Sequence, residues 1–105
     1  DVHMSEAVEK LIVQLTMITR QPHKHDDELA NWLVCGVSPR ATIALDRCSR
    51  AYAWLQGRDF VTPDDVFAMM MRVYRHRLLL DYRAVAQGVD AEKAIHRIAQ
   101  LAAVL

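Results

Sequence analysis

The sequence predicts an all-α protein, a small helical bundle of about four to five helices, and three observations carry that prediction. Apolar residues recur at the 3.6-residue period in several separate segments. Two of those segments open on a Ser-Pro or Thr-Pro pair, a start signal in which proline occupies the first helical position and its missing N–H costs nothing. No stretch alternates in a way that demands a strand. At 105 residues the chain can build one hydrophobic core, so residues 1–105 read as a single domain.

The first helix starts at Ser5, placed to cap, with Glu6 and Glu9 near the positive end, and carries Val8, Leu11, Ile12, Leu15 and Ile18 to a stop near Thr19. The preceding His3-Met4 pair flows into this helix and is treated as native. Arg20 to Asp27 contains Pro22, mixed charge and no period, and reads as an exposed loop. A short helix is expected over 28–34, ended by Gly36. The central helix has Ser38 as cap, Pro39 at its first position and Ala41, Ala44, Leu45, Cys48, Ala51, Tyr52 and Leu55 on one face, with Gly57 as its stop. Thr62-Pro63-Asp64-Asp65 starts the next, which buries Val66, Met69, Met70 and Val73 and ends near Arg75, leaving Met71 off the stripe. The segment 78–88 has no clean period. Asp90 then caps a last helix carrying Ile95, Ile98, Leu101 and Leu105.

Composition narrows the function classes. Hydrophobic residues make up 52% and charged residues 25%, as in an ordinary globular domain, and no apolar stretch approaches the roughly 20 residues of a membrane span. Thirteen basic and thirteen acidic side chains balance, so no nucleic-acid partner is expected without a local basic patch. Cys35 and Cys48 lack a C-x-x-C spacing, fit a reducing cytoplasmic compartment and are read as small core residues. The acidic N-terminus reads as an amphipathic helix rather than a leader.

The most informative side chain is Arg40. A cation in the first turn of a helix opposes the field of the free N–H groups by about 0.3 to 1 kcal/mol, so something should compensate. A bound phosphate would do so, held by the guanidinium and by the helix start at Ser38 and Pro39. A solvated arginine lying over a neighbouring acid is the alternative. Arg47 and Arg50 follow on the same helix, off its apolar stripe, and either line a face toward a core domain or another subunit or are simply solvated. The string from Gly57 to Pro63 reads as architecture: a helix stop, an apolar pair, Phe60-Val61, closing over the core, and a cap. His23 and His25 sit in the loop beside Lys24 with too few further ligands for a metal, so no metal site is assigned. Arg72, Arg75, His76 and Arg77 suit the negative end of their helix, with a subunit or nucleic-acid contact as the alternative. No phosphate loop of the form G-x-x-x-x-G-K-[ST] occurs, and no catalytic residue is assigned.

Gly36-Val37-Ser38-Pro39-Arg40-Ala41, Leu45-Asp46-Arg47-Cys48-Ser49-Arg50-Ala51, Gly57-Arg58-Asp59-Phe60-Val61-Thr62-Pro63-Asp64-Asp65-Val66 and Arg75-His76-Arg77-Leu78, in that order and spacing, resemble the C-terminal lid of the MoxR family of AAA+ ATPases. The resemblance covers nearly the whole chain. It implies that Arg40 is the sensor 2 arginine, which reaches from the lid to the γ-phosphate of ATP held by the nucleotide-binding core of the same protomer. Val37 stands where a small residue is frequent in the family.

The same resemblance implies a parent ATPase that uses ATP and Mg²⁺ in chaperone-like remodelling or maturation of proteins. That parent would form a hexameric ring, often alongside proteins with von Willebrand factor A domains. The nucleotide-binding core is absent from this fragment, which by itself should neither hold ATP tightly nor hydrolyse it. A histone-fold-like interaction module is the alternative reading, because helix, Gly-Arg-Asp, Thr-Pro-Asp-Asp-Val, helix also resembles the loop between histone-fold helices. The neutral charge and the moderate length of the central helix weigh against its DNA-binding form.

Overall fold

Most helices of the chain begin on a side chain that accepts from their free N–H groups. The computed structural model describes residues 2–104, so Leu105, the last apolar position expected on the final helix, lies outside them. Helix α1 spans Glu6–Arg20, the Ser5 hydroxyl accepting from the Val8 amide at 3.3 Å. A 3-10 turn, Pro22–Lys24, leads to Asp26, which caps α2, Asp27–Trp32. Helix α3 is Pro39–Leu55, α4 Pro63–Tyr74, α5 Tyr82–Ala86 and α6 Ala91–Ala103. Gly57 and Gly88 follow α3 and α5 at φ of 80° and 90°, a backbone region that penalises a Cβ.

Helices α3 and α4 form an antiparallel hairpin, and α1 and α6 pack against it. Helix α1 runs antiparallel to α3, since Thr16 meets Thr42 while Val2, ahead of α1, meets Arg50. Leu15, Ile18, Leu45, Met70, Tyr74 and Ile98 are fully buried between these helices, and each large apolar side chain so removed from water contributes about 2 kcal/mol. Arg97 of α6 donates to both oxygens of Asp26, at 2.8 and 3.1 Å, and that bond holds the Asp26 carboxyl below its ordinary range. The α2 cap is thereby tied to α6. The His3-Met4 segment belongs to the fold: the His3 amide donates to the Asp59 carbonyl, the His3 carbonyl accepts from Val61, and Met4 is buried.

The all-α fold holds, with departures that share a cause. Helix α2 stops at Trp32 rather than running to Val34, because Leu33–Cys35 (β1) pairs antiparallel with Leu79–Leu80 (β2), and the Asp81 amide takes up the Trp32 carbonyl at 2.7 Å. Gly36 therefore ends no helix. The unperiodic segment 78–88 contains β2 and the short helix α5, capped by Asp81. On α3 the buried face is Ala41, Leu45, Ser49 and Ala53, whereas Ala51 is exposed and Leu55 is 72% exposed. Small residues sit where three helices approach closely, and a hydrophobic period alone favours the larger apolar ones. Cys35 is exposed and so lies outside the core, whereas Cys48 is half-buried and packs against it. Of the pair Phe60-Val61, only Val61 closes over the core. The Phe60 ring is half-exposed, with the Arg58 guanidinium 5.8 Å from its centre.

Candidate functional site

The start of α3 is held in place by its approach to the end of α1. A Cβ added at Gly36 would lie 2.2 Å from the Thr19 carbonyl oxygen and 2.9 Å from the Arg20 amide nitrogen, so only glycine lets the two backbones meet there. The next residue consolidates the contact. The Val37 amide donates to the Thr19 hydroxyl oxygen at 3.2 Å, and that hydroxyl donates to the Thr16 carbonyl at 2.7 Å. Val37 itself is buried, which accounts for a branched apolar residue at this position.

A second anchor lies one turn into α3. The Thr16 hydroxyl donates to the Ile12 carbonyl at 3.2 Å, so it accepts from the Thr42 hydroxyl at 2.7 Å and, more weakly, from the Tyr74 hydroxyl at 3.4 Å. Burial pushes the Tyr74 phenol above its ordinary value, and the Thr16 bond pulls it partly back. This network joins α1, α3 and α4 within two residues of Arg40. The sequence held a signal for it: Thr16 and Thr19 stand four residues after the core positions Ile12 and Leu15, on an otherwise apolar stripe.

With its root fixed, the α3 start itself is open. Ser38 has the extended backbone of a cap residue, φ −79° and ψ 167°, but its hydroxyl makes no capping bond. Ser5, Asp26, Thr62, Asp81 and Asp90 do cap their helices with their side chains. Pro39 supplies the first helical position, and the first turn carries no acidic residue. Arg40 is exposed and, among the described residues, makes no ion pair. The neighbouring acid that could have neutralised it is absent from this turn. The Ala41 amide donates to the Ser38 carbonyl at 2.9 Å and Pro39 has no N–H, so the arrangement offers the Arg40 guanidinium and the Arg40 amide to an anionic oxygen, and no carboxylate to hold a metal.

The remaining candidates separate. Arg47 is exposed and, among the described residues, unpaired. The Arg50 guanidinium instead bonds the Asp46 carboxylate and the Val2 carbonyl, both at 2.6 Å, clasping the chain's first residues to α3. His23 and His25 are exposed on the 3-10 turn. Arg77 donates to the Val73 carbonyl at 2.7 Å, satisfying the end of α4, while Arg72, Arg75 and His76 are exposed beside it. Arg58, read only as part of a turn, forms two 2.6 Å bonds to the carboxylate of Asp65, which is 1% exposed. Acids in a first turn are ordinarily solvated, so nothing local distinguished Asp65 from Asp64. Met71 is half-buried.

Residues 32–98 match the family described as the AAA lid domain. That stretch includes the Gly-Arg-Asp and Thr-Pro-Asp-Asp-Val strings on which the histone-fold-like alternative stood. The chain is 36% identical over 88% of its length to the chaperone MoxR1 of Mycobacterium tuberculosis, and 36% identical over 74% to the protein MoxR of Paracoccus denitrificans. It spans about a quarter of the length of these relatives, 25% and 24%. A crystal structure of a candidate ATPase from Cytophaga hutchinsonii superposes with a TM-score of 0.89 at 35% identity, covering 94% of this chain and 30% of that one.

Proposed function

The chain belongs to the C-terminal lid domains of the MoxR-family AAA+ ATPases, and we propose that in the whole protein Arg40 serves as the sensor 2 arginine of ATP hydrolysis. The single observation that carries this reading is the open start of α3, where an exposed Arg40 stands on a helix whose cap hydroxyl is unused. ATP with Mg²⁺ supplies the phosphoryl group to be transferred and the negative charge that grows on it. Arg40 donates charge-assisted, in-plane hydrogen bonds to phosphate oxygens as that charge develops. Pro39 fixes the backbone at the first helical position, and the unused Ser38 hydroxyl leaves the Arg40 amide to add to the positive field. Gly36, Thr19, Thr16 and Thr42 root this helix start, so a change in phosphate position is passed to the lid as a change in its angle. The first turn of α3 offers no carboxylate, so Mg²⁺ falls to residues of the nucleotide-binding core.

In this reading the parent is an ATPase whose lid works with its own nucleotide-binding core in a hexameric ring that remodels or matures other proteins, with von Willebrand factor A domain proteins as companions. The name of the mycobacterial relative, a chaperone, supports the remodelling role. Arg40→Ala in the full-length parent is expected to lower ATP turnover about tenfold or more while leaving thermal unfolding unchanged, because the side chain lies outside the core. Unchanged turnover rejects the assignment. The isolated chain is expected to hydrolyse no ATP and to bind it only weakly. Calorimetric titration showing a Kd tighter than about 1 μM contradicts that.

A further inference from the structure

The end of α4 carries more cations than its helix uses. Arg77 donates to the Val73 carbonyl and satisfies the last turn, whereas Arg72 and Arg75 stay exposed and, among the described residues, make no ion pair. They share one outward stripe with Ala68 and Met71, at the i, i+3, i+4, i+7 spacing of a single helix face, opposite the buried Val66, Met70 and Val73. That stripe and His76 line a depression of about 550 Å³. A second depression, of about 250 Å³, shares Arg75 and His76 and runs on to Asp90, Ala91 and Glu92 at the start of α6. The two meet at Arg75 and His76 and form one groove from α4 to α6.

The acids that line this groove are turned to other work. Asp90 accepts from the Lys93 amide at 2.8 Å as the cap of α6, and Glu92 faces His96 on its own helix at 3.8 Å. A lone solvated arginine needs no explanation, but two on successive turns beside a half-buried methionine bring together residue types that are enriched at protein interfaces. Arg72 and Arg75 stand roughly 4.5 Å apart along the helix axis, a spacing that takes two carboxylates from one turn of a partner segment. Met71 and Ala68 give that segment an adaptable apolar floor. The cationic stretch is also short. Asp64 lies on the same stripe about 12 Å before Arg72, and Asp90 and Glu92 close the other end, so a nucleic-acid backbone laid along the groove would run onto carboxylates at both ends. We infer that the groove between the end of α4 and the start of α6 is a docking site for an acidic segment of a partner protein, which sets two carboxylates on Arg72 and Arg75 and an apolar side chain against Met71 and Ala68. Complementary charge gives such a site its specificity. Its lining residues come from α4, the turn after it and the start of α6, so it stands apart from the reading of Arg40.

Selection from a random peptide library on the full-length parent, with counter-selection on its Arg72→Ala/Arg75→Ala variant, tests this. The peptides that enrich are expected to carry paired acidic residues within a helical turn of an apolar one. A synthetic copy of such a peptide is expected to bind the parent about tenfold more tightly than the variant in fluorescence anisotropy, and to weaken as salt is raised. Ala68→Glu, which puts a carboxylate into the apolar floor at an exposed position, is expected to weaken it similarly. Both variants are expected to keep parental helical circular dichroism and ATP turnover. Enriched peptides that lack acidic residues, or that bind the variant equally well, overturn the inference. Tighter binding of a single-stranded oligonucleotide than of the peptide overturns it by assigning the groove to nucleic acid. Peptide binding to diluted monomers but not to the assembled ring overturns it by placing the groove under a neighbouring subunit, and a fall in turnover of the arginine variant overturns it by giving these cations to the nucleotide.

Discussion

Helices α3 and α4 open on nearly the same words, Ser38-Pro39-Arg40-Ala41 and Thr62-Pro63-Asp64-Asp65, and they end in opposite physical states. The α4 start is closed on itself. The Thr62 hydroxyl accepts from the Asp65 amide, the Asp65 carboxylate accepts from the Thr62 amide at 2.8 Å, and Arg58 grips the same carboxylate through both terminal nitrogens. The buried carboxylate of Asp65 and the Arg58 guanidinium satisfy each other inside the chain, while Asp64 beside them is exposed. The α3 start has the same proline, but a cation replaces the first acid, alanine replaces the second, and the cap hydroxyl makes no bond. A helix start whose cap and buried carboxylate are satisfied internally is architecture. One left open on a rigid root has its groups free for something else.

That contrast can be broken most forcefully at Asp65. Asp65→Ala removes a buried carboxylate, half of a capping box and the partner of Arg58, and is expected to destabilise the chain by about 3 kcal/mol in equilibrium urea unfolding. A loss under about 1 kcal/mol would mean the closed start is ornamental. The pair also sets an acid limit. The Arg58 hydrogen bond, with help from the Thr62 amide, holds the Asp65 carboxyl at about 2, below its ordinary 3.8. A depressed folded value means stability that is present above 3.8 and is lost as pH falls through about 2. Asp65→Asn should flatten the Asp65 share of that acid slope and leave the share of Asp26, whose carboxyl is lowered by Arg97.

Next in size is the root of the open start. Gly36→Ala drives a methyl into the Thr19 carbonyl and is expected to cost about 2 kcal/mol, and to lower ATP turnover of the parent even though Arg40 is intact. Wild-type turnover in a folded Gly36→Ala protein would show that the sensor does not depend on this contact. The smallest effects make the sharpest comparison. Thr62→Ala should cost about 1 kcal/mol, whereas Ser38→Ala should stay within about 0.5 kcal/mol of zero, since only the first hydroxyl makes a capping bond. Equal costs in paired thermal melts would erase the distinction between the two starts.

Local chemistry made much of this legible. A cap, a proline at the first position and a glycine past the end act within three or four residues, so the starts of α1, α3, α4 and α6 and the stop at Gly57 could be read one segment at a time. Arg40 was singled out for the same reason, as a cation against a local field. The tertiary structure alone decided what depends on distant partners. Leu33 leaves its helix to pair with Leu80, Gly36 exists for the carbonyl of Thr19, and α3 turns Ala41, Ser49 and Ala53 inward because neighbouring helices come too close for larger groups. The same holds for the two similar helix starts. Sequence supplied their hydroxyls and charges, but whether each group finds a partner is set by residues brought near from elsewhere: Arg58 folds back onto Asp65, and no acid among the described residues comes to Arg40.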